Sequence, residues 1–494
     1  MDETVKEICE KFFEIEKKFN LIQNEIQETY FWQLIRIYVY YEISRKLGVF
    51  GSPQQGKVSV FDKVLSFIPF IKNSLFSNPL KGNYHKDIVI FDHPRRVKNR
   101  GEYQDIYSHF LREDLDNDLN FEIIESPYLN KHYGEKKDYV KYSDRILLGS
   151  YFNKKIRDLK FRHSENDEIL KIKNEIEKQF NINIDLISII KTHIMDYKYQ
   201  YEKYDKLFKK RTPKYIFVVV SYENQSMISA AKDNGIEVIE LQHGTISKYH
   251  LGYNYPECEK DAHVENVKYF PNKLLSFGDY WNKIANYPLE DKNIISFGFP
   301  YLNETISSYL NNEKDQEKNK NQILFISQGA IGKYLSKFAY ELAQILNESN
   351  KSTELNKERL NKNYKIIYKL HPGEYSNWET NYEYLKKAKE LNNFEIIDNN
   401  QVSLYDLFSK SEYQVGVFST AIYEGLIFNC KTFIVDFPGT EYMDDLVEKE
   451  YVIKIKEAEE LIKHLDSFKI KEYDKDFFFK NYNKNDLNNI VNKQ

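Results

Sequence analysis

Two histidines stand directly after short apolar runs, where a side chain can meet a ligand. His243 lies in Gln242-His243-Gly244-Thr245, which follows the run Glu237–Leu241. Because the unperturbed pKa of histidine is about 6.5, His243 could act as a general base or contact a phosphate group. Gly244 would let the chain turn and approach a ligand closely. The alternative is a histidine satisfied by backbone groups at a tight turn.

The second histidine, His371, follows the apolar run Lys365–Leu370. Pro372 has no backbone N–H, so a strand has to end there. Because this position repeats that of His243, the pair favours a functional role for both residues. Lys369 lies close by, but a solubilising lysine at a strand edge is an equally good interpretation. Glu374 is interpreted as a surface or turn residue.

Two strand-to-helix turns could bind an anion. Ser419 and Thr420 follow the run Gln414–Val417 and begin a helical pattern, whose free N–H groups and dipole favour negative charge; an ordinary N-cap is the alternative. Glu424, about one turn into that helix, could reach a ribose or sugar hydroxyl, or pair at the surface. Ser327-Gln328-Gly329 offers backbone N–H groups after another apolar run, although its spacing is not that of a Walker A loop.

The fifth motif is Asp92-His93-Pro94-Arg95-Arg96, after the run Ile88–Phe91. The two arginines could hold a phosphate or carboxylate, and Asp92 could act as a base; a basic surface turn is the alternative. The sequence contains no HExxH helix, no GxSxG turn and no EF-hand loop. Asp444-Asp445 is interpreted as a helix start, so no catalytic metal is predicted.

The elements that must position these motifs are short apolar runs alternating with amphipathic stretches, which is typical of βα units and a parallel sheet. We predict an α/β fold of two doubly wound Rossmann-like domains facing a cleft, with a helical N-terminal extension. Helices are expected over residues 3–48 and Glu165–Phe208, among others. The predicted strands are Ile88–Phe91, Phe121–Glu125, Tyr215–Val220, Glu237–Leu241, Lys273–Phe277, Ile294–Phe297, Ile323–Ile326, Lys365–Leu370, Glu395–Ile397, Gln414–Val417, Thr432–Val435 and Val452–Ile455. The predicted boundaries are 1–82 for the aromatic-rich extension, 83–298 for the first domain, 299–321 for a polar linker, 322–455 for the second domain and 456–494 for a C-terminal helical segment.

The composition excludes several classes of protein. The 494 residues include 71 Lys and Arg against 75 Asp and Glu, a net charge of -4, which argues against a nucleic-acid partner. Cys9, Cys258 and Cys430 lie far apart, so we expect no disulfide scaffold and a reducing cytoplasm. The acidic start, Met1-Asp2-Glu3, is unlike a secretory signal, and no apolar run is long enough to span a membrane.

The first 80 residues combine aromatic side chains with lysines. This composition suits a segment lying in the headgroup region of a membrane. Packing of the same stripe on the first α/β domain is the favoured alternative, because buried helical stripes are more common. The residues concerned are Tyr30, Phe31, Trp32, Tyr38, Tyr40, Tyr41, Phe67, Ile68, Phe70 and Ile71, with Lys63, Lys72 and Lys81 flanking the second group.

The order of these motifs resembles that of GT-B glycosyltransferases which build bacterial surface polysaccharides. The turn Gln242-His243-Gly244-Thr245 resembles the His-Gly-Thr motif of teichoic-acid glycerophosphotransferases. The chain also resembles capsule-polysaccharide transferases of the Kdo- and sialic-acid-adding kind. His371-Pro372 and Ser419-Thr420 resemble the His-Pro and Ser motifs of bacterial sialyltransferases. The resemblance covers about residues 215–445. The acidic triplet ending in Gly that sialyltransferases carry is missing, which leaves Asp92 or His243 as the base.

The resemblance implies a metal-independent glycosyltransferase of capsule or other surface-polysaccharide synthesis. A nucleotide-activated sugar would be the co-substrate, with no other cofactor, and a glycan or lipid-linked glycan would be the acceptor. The enzyme would be cytoplasmic, with attachment to the inner face of the cell membrane left open. The alternatives are a CDP-polyol phosphotransferase, a sugar-nucleotide epimerase or hydrolase, and a non-catalytic glycan-binding subunit.

The resemblance also assigns site residues. His371 and Ser419 would contact the donor phosphate, Glu424 would lie on the ribose or base side, and His243 would face the acceptor. The wider donor set is Ser327, Gln328, Gly329, Lys369, Pro372 and Thr420, and the acceptor or anion-binding set is His93, Arg95, Arg96, Gln242, Gly244 and Thr245.

Overall fold

The computed structural model describes residues 3–49, 69–94, 96–99, 101–115, 118–128, 131–256, 267–310, 318–349, 363–465, 467 and 471–492. The chain divides into two compact units, each with its own parallel sheet. We call them the seven-stranded unit and the six-stranded unit. The seven-stranded unit comprises Cys9–Ile43, Val58–Asn303 and Phe478–Gln494; the six-stranded unit comprises Met1–Ile8, Ser44–Lys57 and Glu304–Phe477.

The seven-stranded unit contains strands β1 Ile88–Asp92, β4 Phe121–Glu125, β5 Val140–Tyr142, β6 Tyr215–Val219, β7 Glu237–Leu241, β8 Lys273–Ser276 and β9 Ile294–Ser296, together with a separate antiparallel hairpin of β2 Val97–Asn99 and β3 Glu102–Gln104. The sheet order is β5-β4-β1-β6-β7-β8-β9, and each neighbouring pair is parallel. Strand order therefore reverses between β1 and β6. Ligands of doubly wound sheets bind at the carboxyl ends of the strands beside such a switch point.

The six-stranded unit repeats this plan with strands β10 Asn319–Ile326, β11 Lys365–Lys369, β12 Phe394–Ile397, β13 Ser411–Gly416, β14 Lys431–Val435 and β15 Ile453–Ile455. The sheet order is β12-β11-β10-β13-β14-β15, again parallel throughout. The switch point of this sheet lies between β10 and β13.

The helices cover the sheets and connect the strands. In chain order they are α1 Val5–Lys18, α2 Phe31–Lys46, α3 over residues 69–76, α4 Leu111–Asp114, α5 Asp144–Ile156, α6 His163–Phe180, α7 Leu186–Arg211, α8 Gln225–Asp233, α9 Pro300–Leu310, α10 Gly332–Ser349, α11 Trp378–Asn381, α12 Glu383–Ala388, α13 Leu404–Lys410, α14 Thr420–Ile427, α15 Asp444–Glu448, α16 Ala458–His464, α17 Lys475–Phe478 and α18 Lys484–Asn492.

The residues of β1 show why the strands are continuously apolar runs. Ile88 and Ile90 belong to one core cluster, whereas Val89 and Phe91 belong to a second cluster on the opposite face. Successive strand residues point to opposite faces, and a parallel sheet covered by helices on both faces therefore needs apolar residues at every position.

The helix α18 completes the core of the seven-stranded unit. Leu487, Ile490 and Val491 belong to the same buried cluster as Ile88 of β1. Just before this helix, the indole N–H of Trp281 donates to the carbonyl of Phe478 at 2.7 Å. The core of the seven-stranded unit is therefore completed by a helix that comes after all strands of the six-stranded sheet in the sequence.

The segment Cys9–Ile43 packs inside the seven-stranded unit. Phe31 and Trp32 are buried, and so are both members of an ion pair between Arg36 and Glu16. Tyr38 and Tyr41 of the same helix stay exposed. For this helix the packing alternative is therefore the correct one. Phe67, Ile68 and Lys63 of the predicted interfacial stripe lie outside the described residues, and no described helix is long and apolar enough to cross a bilayer.

The predicted fold class, an α/β chain with two doubly wound sheets, is confirmed, and the predicted strands are present to within a few residues at their ends. The single helix expected over residues 3–48 is wrong: α1 and α2 are separated by a turn in which Asn20 has a φ of 48°. The helix expected over Glu165–Phe208 also breaks, at Asn181 with a φ of 51°. An asparagine in the left-handed conformation ends a helix. The amphipathic periodicity of a sequence does not predict such an end, because it depends on one residue.

Three short strands were not predicted, and the expected linker is partly regular structure. β2, β3 and β5 have three residues each, too few for a periodic pattern. Residues 299–321 include α9 and the start of β10, while residues 311–317 lie outside the described part of the chain.

Candidate functional site

Three predicted motifs of the six-stranded unit come together at one edge of the sheet. β11, β10 and β13 are neighbours, and their carboxyl ends lead into His371, Ser327 and Ser419. Two of these loops, at Ser327 and Ser419, flank the switch point between β10 and β13. This is the position at which a doubly wound sheet binds a ligand.

His371 is held in a defined protonation pattern. Its backbone N–H donates to Oε2 of Glu374 at 2.7 Å, and its Nδ1 accepts from the backbone N–H of Gly373 at 3.1 Å. Because Nδ1 accepts, a neutral ring carries its proton on Nε2. The exposed imidazole is therefore arranged to donate from Nε2 to a phosphate oxygen. Pro372 begins a 3₁₀ turn, Pro372–Glu374, that fixes this geometry.

Glu374 joins the loops of this edge. It lies in the turn Pro372–Glu374, as one of its two interpretations expects, but it is buried and not at the surface. The side chain is buried, and burial raises its pKa. Oε1 accepts from the hydroxyls of Ser327 at 3.0 Å and Tyr382 at 2.7 Å, while Oε2 accepts from His371. One carboxylate thus ties the β10 loop, the β11 loop and helix α12 together.

The side chain of Ser327 belongs to this internal network, so only its backbone can meet a ligand. Its hydroxyl lies 3.1 Å from that of Tyr368 and 3.0 Å from Glu374. The next residue, Gln328, has a buried Oε1 with no hydrogen-bond partner in the described part of the chain. Gly329 follows, and its missing side chain leaves ordinary contact distance, 3.9 Å, to Glu374.

Gly332→Ala is expected to destabilise the protein by about 1–3 kcal/mol, the usual cost of an overpacked site. An added Cβ would overlap both Oε1 of Glu374 and the hydroxyl of Tyr382. This loss should occur although alanine is the better helix former at the start of α10. Gly329→Ala is the matched control and should change the urea midpoint little, because its Cβ meets nothing closer than 3.9 Å. Equal midpoints for the two variants would contradict the bridging role of Glu374.

Ser419 caps α14 in the usual way. Its hydroxyl accepts from the backbone N–H of Ala421 at 3.2 Å. Thr420 is the first helical residue, and Glu424 lies one turn further along, both half-buried. The first turn of this helix follows β13, which borders the switch point, and the helix dipole favours an anion there.

Lys369 is directed away from the switch point. Its ammonium donates to the carbonyl of Asn399 at 2.7 Å and contacts the hydroxyl of Tyr375, both beyond the end of β11 on the β12 side. Burial lowers the pKa of this lysine to about 8. These two contacts satisfy the ammonium of Lys369, whose side chain is almost fully buried. They hold the ammonium away from the anion-binding edge.

The seven-stranded unit places a second histidine one strand away from its own switch point. His243 follows β7, and the rings of His93, after β1, and Tyr222, after β6, lie 6.4 Å and 6.0 Å from its ring. Tyr107 contributes a further ring at 6.4 Å. Polar groups from the ends of three adjacent strands therefore meet around one partly exposed imidazole.

A chain of hydrogen bonds fixes the tautomer of His243. Tyr253 donates its single hydroxyl proton to Oε1 of Glu240 at 2.7 Å, so its oxygen can only accept from Nδ1 of His243, 3.3 Å away. Nδ1 therefore carries the proton, and the lone pair lies on Nε2, which accepts from Tyr222 at 3.3 Å. Burial, together with the nearby His250 and His93, lowers the pKa of His243 to about 3.

Glu240 lies at the buried end of this chain. Its Oε1 also accepts from the backbone N–H of Ser221 at 2.9 Å, and its Oε2 has no partner among the described residues. Burial raises the pKa of Glu240 to about 7. The His243 ring is thus neutral at physiological pH, with the lone pair on Nε2 and a titratable carboxyl group behind it.

The residues around His243 shape the turn. Gln242 is buried, donates to the carbonyl of Gly244 at 2.8 Å and accepts from the backbone N–H of Phe277 at 2.8 Å. The side-chain amide of Gln242 is therefore engaged in hydrogen bonds within the protein. Gly244 and Thr245 are half-buried beside the histidine.

Asp92 and Arg96 form a closed ionic network. Arg96 donates to Oδ2 of Asp92 at 2.8 Å and to Oε2 of Glu125 at 2.9 Å, and both side chains are nearly inaccessible. Burial and the nearby Asp105 raise the pKa of Asp92, against the opposing effect of Arg96. Arg95 lies outside the described residues. The guanidinium of Arg96 is already matched by two carboxylates, which does not favour its predicted role as an anion ligand.

His132 extends the same network. Its ring bonds to Glu125 at 2.9 Å and to Asp144 at 2.8 Å. Although burial alone would lower it, these two hydrogen bonds raise the pKa of His132 to about 9. The network is therefore a charged structural element that ties β1 and β4 to α5. Within the described residues, no three His, Cys, Asp or Glu side chains are grouped so as to hold a metal ion.

Sequence reasoning found both histidines and missed the residues that hold them. Tyr222, Tyr253, Glu240 and Glu374 were not singled out as site residues. Glu240 could have been noticed, because a carboxylate inside the apolar run Glu237–Leu241 has to be buried and paired. The tyrosines carry no such signal, since they stand among many aromatic residues.

No family model and no curated protein matches the chain. Solved structures similar to it include the UDP-GlcNAc 2-epimerase from Methanocaldococcus jannaschii, at 12% identity and a TM-score of 0.48, covering 82% of this chain and 99% of that one. The UDP-GlcNAc 2-epimerase from Neisseria meningitidis, bound to UDP-GlcNAc, matches at 11% identity and a TM-score of 0.45, with coverages of 82% and 99%. The wall teichoic acid polymerase TagF matches at 12% identity and a TM-score of 0.40, with coverages of 83% and 89%. Similarity at this level carries no weight for the activity of this chain, which has to be inferred from its own residues.

Proposed function

We propose that this chain is a metal-independent transferase that moves a sugar from a nucleotide-activated donor to a hydroxyl of a surface-glycan acceptor. The observation that carries the proposal is the pair of strand-end histidines with opposite tautomers. His371 presents a proton on Nε2, as a phosphate ligand should, whereas His243 presents a lone pair on Nε2, as a general base should.

In this proposal the six-stranded unit binds the donor. When the bond between the sugar carbon and the phosphate oxygen breaks, the electron pair stays on phosphate. Nε2–H of His371, the first turn of α14 and the backbone of Ser327–Gly329 would supply fixed donors to that charge. Such donors stabilise the transition state more than the ground state, because the charge is still developing.

The seven-stranded unit would supply the base. The acceptor oxygen forms the new bond to the sugar carbon, and its proton passes to Nε2 of His243. The bond from Tyr222 to Nε2 is long, at 3.3 Å, so an acceptor hydroxyl can replace it. Tyr253 and Glu240 do not touch the acceptor and are positioning residues, which hold the ring and stabilise its charge after proton transfer.

The donor assignment is tested by a thermal-shift panel of CMP, CDP, UDP and GDP. One nucleotide at 100 times its Kd should stabilise the protein by about 2.7 kcal/mol. His371→Ala should lose most of this shift and lower turnover by roughly 10²-fold or more, without loss of fold. His464→Ala is the matched control, since this histidine lies in the same unit at the end of α16.

Three outcomes would contradict the proposal. If no nucleotide raises the melting temperature, the donor site is wrong. If activity is abolished by EDTA and restored by Mg²⁺ or Mn²⁺, the mechanism is not metal-independent. If the donor is consumed equally fast without acceptor, the enzyme is an epimerase or hydrolase.

A further inference from the structure

Two helices of the seven-stranded unit have apolar outer faces and polar residues among their buried ones. Helices on a protein surface usually show the reverse pattern, because the apolar face packs on the core. The two helices are α3, over residues 69–76, and α5, Asp144–Ile156. An apolar outer face that recurs on two elements indicates that something covers them.

The inner face of α5 is mixed: Ile146 is buried in the apolar core, whereas Asp144 and Ser150 are buried polar residues. Asp144 accepts from His132, and Ser150 and Lys154 both bond to Asp196 of α7. Its outer face consists of Tyr151, Phe152 and Ile156, which are 53%, 48% and 81% exposed. Phe152 and Ile156 are one helical turn apart, and Tyr151 precedes Phe152 directly, so the three exposed side chains lie close together.

The pattern is more complete in α3. Its buried residues are Asn73 and Ser74, whereas Ile71, Leu75 and Phe76 are 48%, 51% and 77% exposed. Neither stripe is explained by packing within the described part of the seven-stranded unit.

The two helices are neighbours. The carbonyl of Ser77, at the end of α3, accepts from the backbone N–H of Tyr142 at 3.0 Å, two residues before α5 begins. At the other end of α3, the ring of Phe70 lies 6.1 Å from that of His132, which bonds to the first residue of α5. The apolar stripes therefore belong to adjacent elements of one surface.

This surface is bordered by positive charge. Residues 154–162 contain five basic side chains and one acidic side chain. Lys155, Arg157 and Lys160 are exposed and form no salt bridge with any described residue, and Lys72 of α3 is exposed as well. The surface thus combines projecting apolar and aromatic side chains with a border of exposed cations.

We propose that the outer faces of α3 and α5 are a docking surface for a bilayer rich in anionic lipids. Exposed aromatic and aliphatic side chains enter the boundary between headgroups and acyl chains, while lysines and arginines contact the phosphates. A second copy of the chain fits less well, because a two-fold contact would bring the same positive border face to face. The proposal goes beyond the proposed function and does not depend on it.

The test is sedimentation of the full chain with vesicles. Wild-type protein should bind vesicles containing phosphatidylglycerol at low salt, bind pure phosphatidylcholine vesicles much less, and be released by high salt. Each cation near an anionic surface contributes roughly fivefold in binding. The triple variant Lys155→Glu, Arg157→Glu, Lys160→Glu should therefore lose binding by roughly 10²-fold or more. The double variant Phe152→Ser, Ile156→Ser should also lose binding, at unchanged net charge.

Matched controls separate this surface from general effects of charge and hydropathy. The triple variant Lys386→Glu, Lys387→Glu, Lys389→Glu makes the same change in net charge on exposed residues of the six-stranded unit. Leu170→Ser removes an exposed apolar side chain of α6, which is 41% exposed. Both controls should sediment like wild type, and every variant should show a cooperative melting transition above the assay temperature, because each altered side chain is exposed.

Two results would overturn the proposal. One is wild-type protein that never sediments with phosphatidylglycerol vesicles at low salt. The other is a control triple variant that loses as much binding as the α5 triple variant. If wild type does not bind vesicles and light scattering shows that the double variant dissociates an oligomer, the surface binds a second copy and the lipid assignment is wrong.

Discussion

Replacing His243 by Asn is expected to lower turnover by about 10²–10⁴-fold, the range of a lost general base. Asparagine keeps a donor near the position of Nδ1, so the bond to Tyr253 and the local fold should survive. What is lost is the lone pair on Nε2, since the shorter side chain has no atom there. The acceptor hydroxyl then has no group to take its proton.

The pH dependence of kcat/KM checks the same assignment. Burial holds the pKa of His243 at about 3, so the ring stays neutral, whereas burial raises the pKa of Glu240 to about 7. A negative Glu240 stabilises the ring as it takes up a proton, and activity should therefore rise as pH increases through about 7. Glu240→Gln keeps the acceptor atom for Tyr253 and should remove this rise.

The matched control for this experiment is His193→Gln. His193 lies in α7 of the same unit, and burial lowers its pKa as well, but its Nδ1 bonds only within its own helix, to the carbonyl of Ile189 at 2.9 Å. It should leave turnover and pH profile unchanged. Near-normal turnover of purified, folded His243→Asn would remove this residue from the mechanism.

Removing one partner of the buried ion pair should have the largest effect on stability. Arg36 donates to both carboxylate oxygens of Glu16 at 2.9 Å, and to the carbonyls of Leu251 at 2.6 Å and Asn254 at 3.0 Å. Arg36→Met leaves Glu16 as an uncompensated buried charge and two carbonyls without their donor. We expect a loss of about 3–5 kcal/mol in the free energy of unfolding.

Urea unfolding followed by tryptophan fluorescence measures this loss. Trp32 reports directly, because its indole N–H donates to Glu16 at 2.5 Å. The double variant Arg36→Met, Glu16→Leu should be more stable than Arg36→Met alone, because it removes the unpaired charge. Arg162→Met, at a mostly exposed arginine paired with Glu165, should have little effect. A single variant as stable as wild type would show that the pair carries no net stability.

The strands could be predicted from the sequence because a sheet covered on both faces requires unbroken apolar runs. Val89 and Ile90 face different clusters, and both have to be apolar. Helix ends were predicted less well, since they depend on single residues such as Asn181 in the left-handed conformation. The hairpin β2–β3 contains no unbroken apolar run, so the same reasoning could not predict it.

In the candidate site, too, features set by neighbouring residues could be predicted, whereas contacts between residues distant in sequence could not. The two histidines could be found because strand ends are local features of the sequence. Their tautomers could not, because the partner of Nδ1 in His243 is a tyrosine ten residues further along, held by a carboxylate of the preceding strand. Asp92 was predicted as a base and Arg96 as an anion ligand from adjacent letters, whereas Glu125 of the neighbouring strand already pairs with the arginine.

The packing of α18 has a consequence for synthesis on the ribosome. Domains generally fold as units in the order in which they emerge. Here Leu487, Ile490 and Val491 belong to the core that contains Ile88, yet they are translated after all six strands of the other unit. The seven-stranded unit, although it is made first, cannot close its core until the six-stranded unit has left the exit tunnel. Until α18 has been synthesised, one apolar face of the seven-stranded sheet stays uncovered. We therefore expect this nascent chain to bind chaperones that shield exposed apolar surfaces.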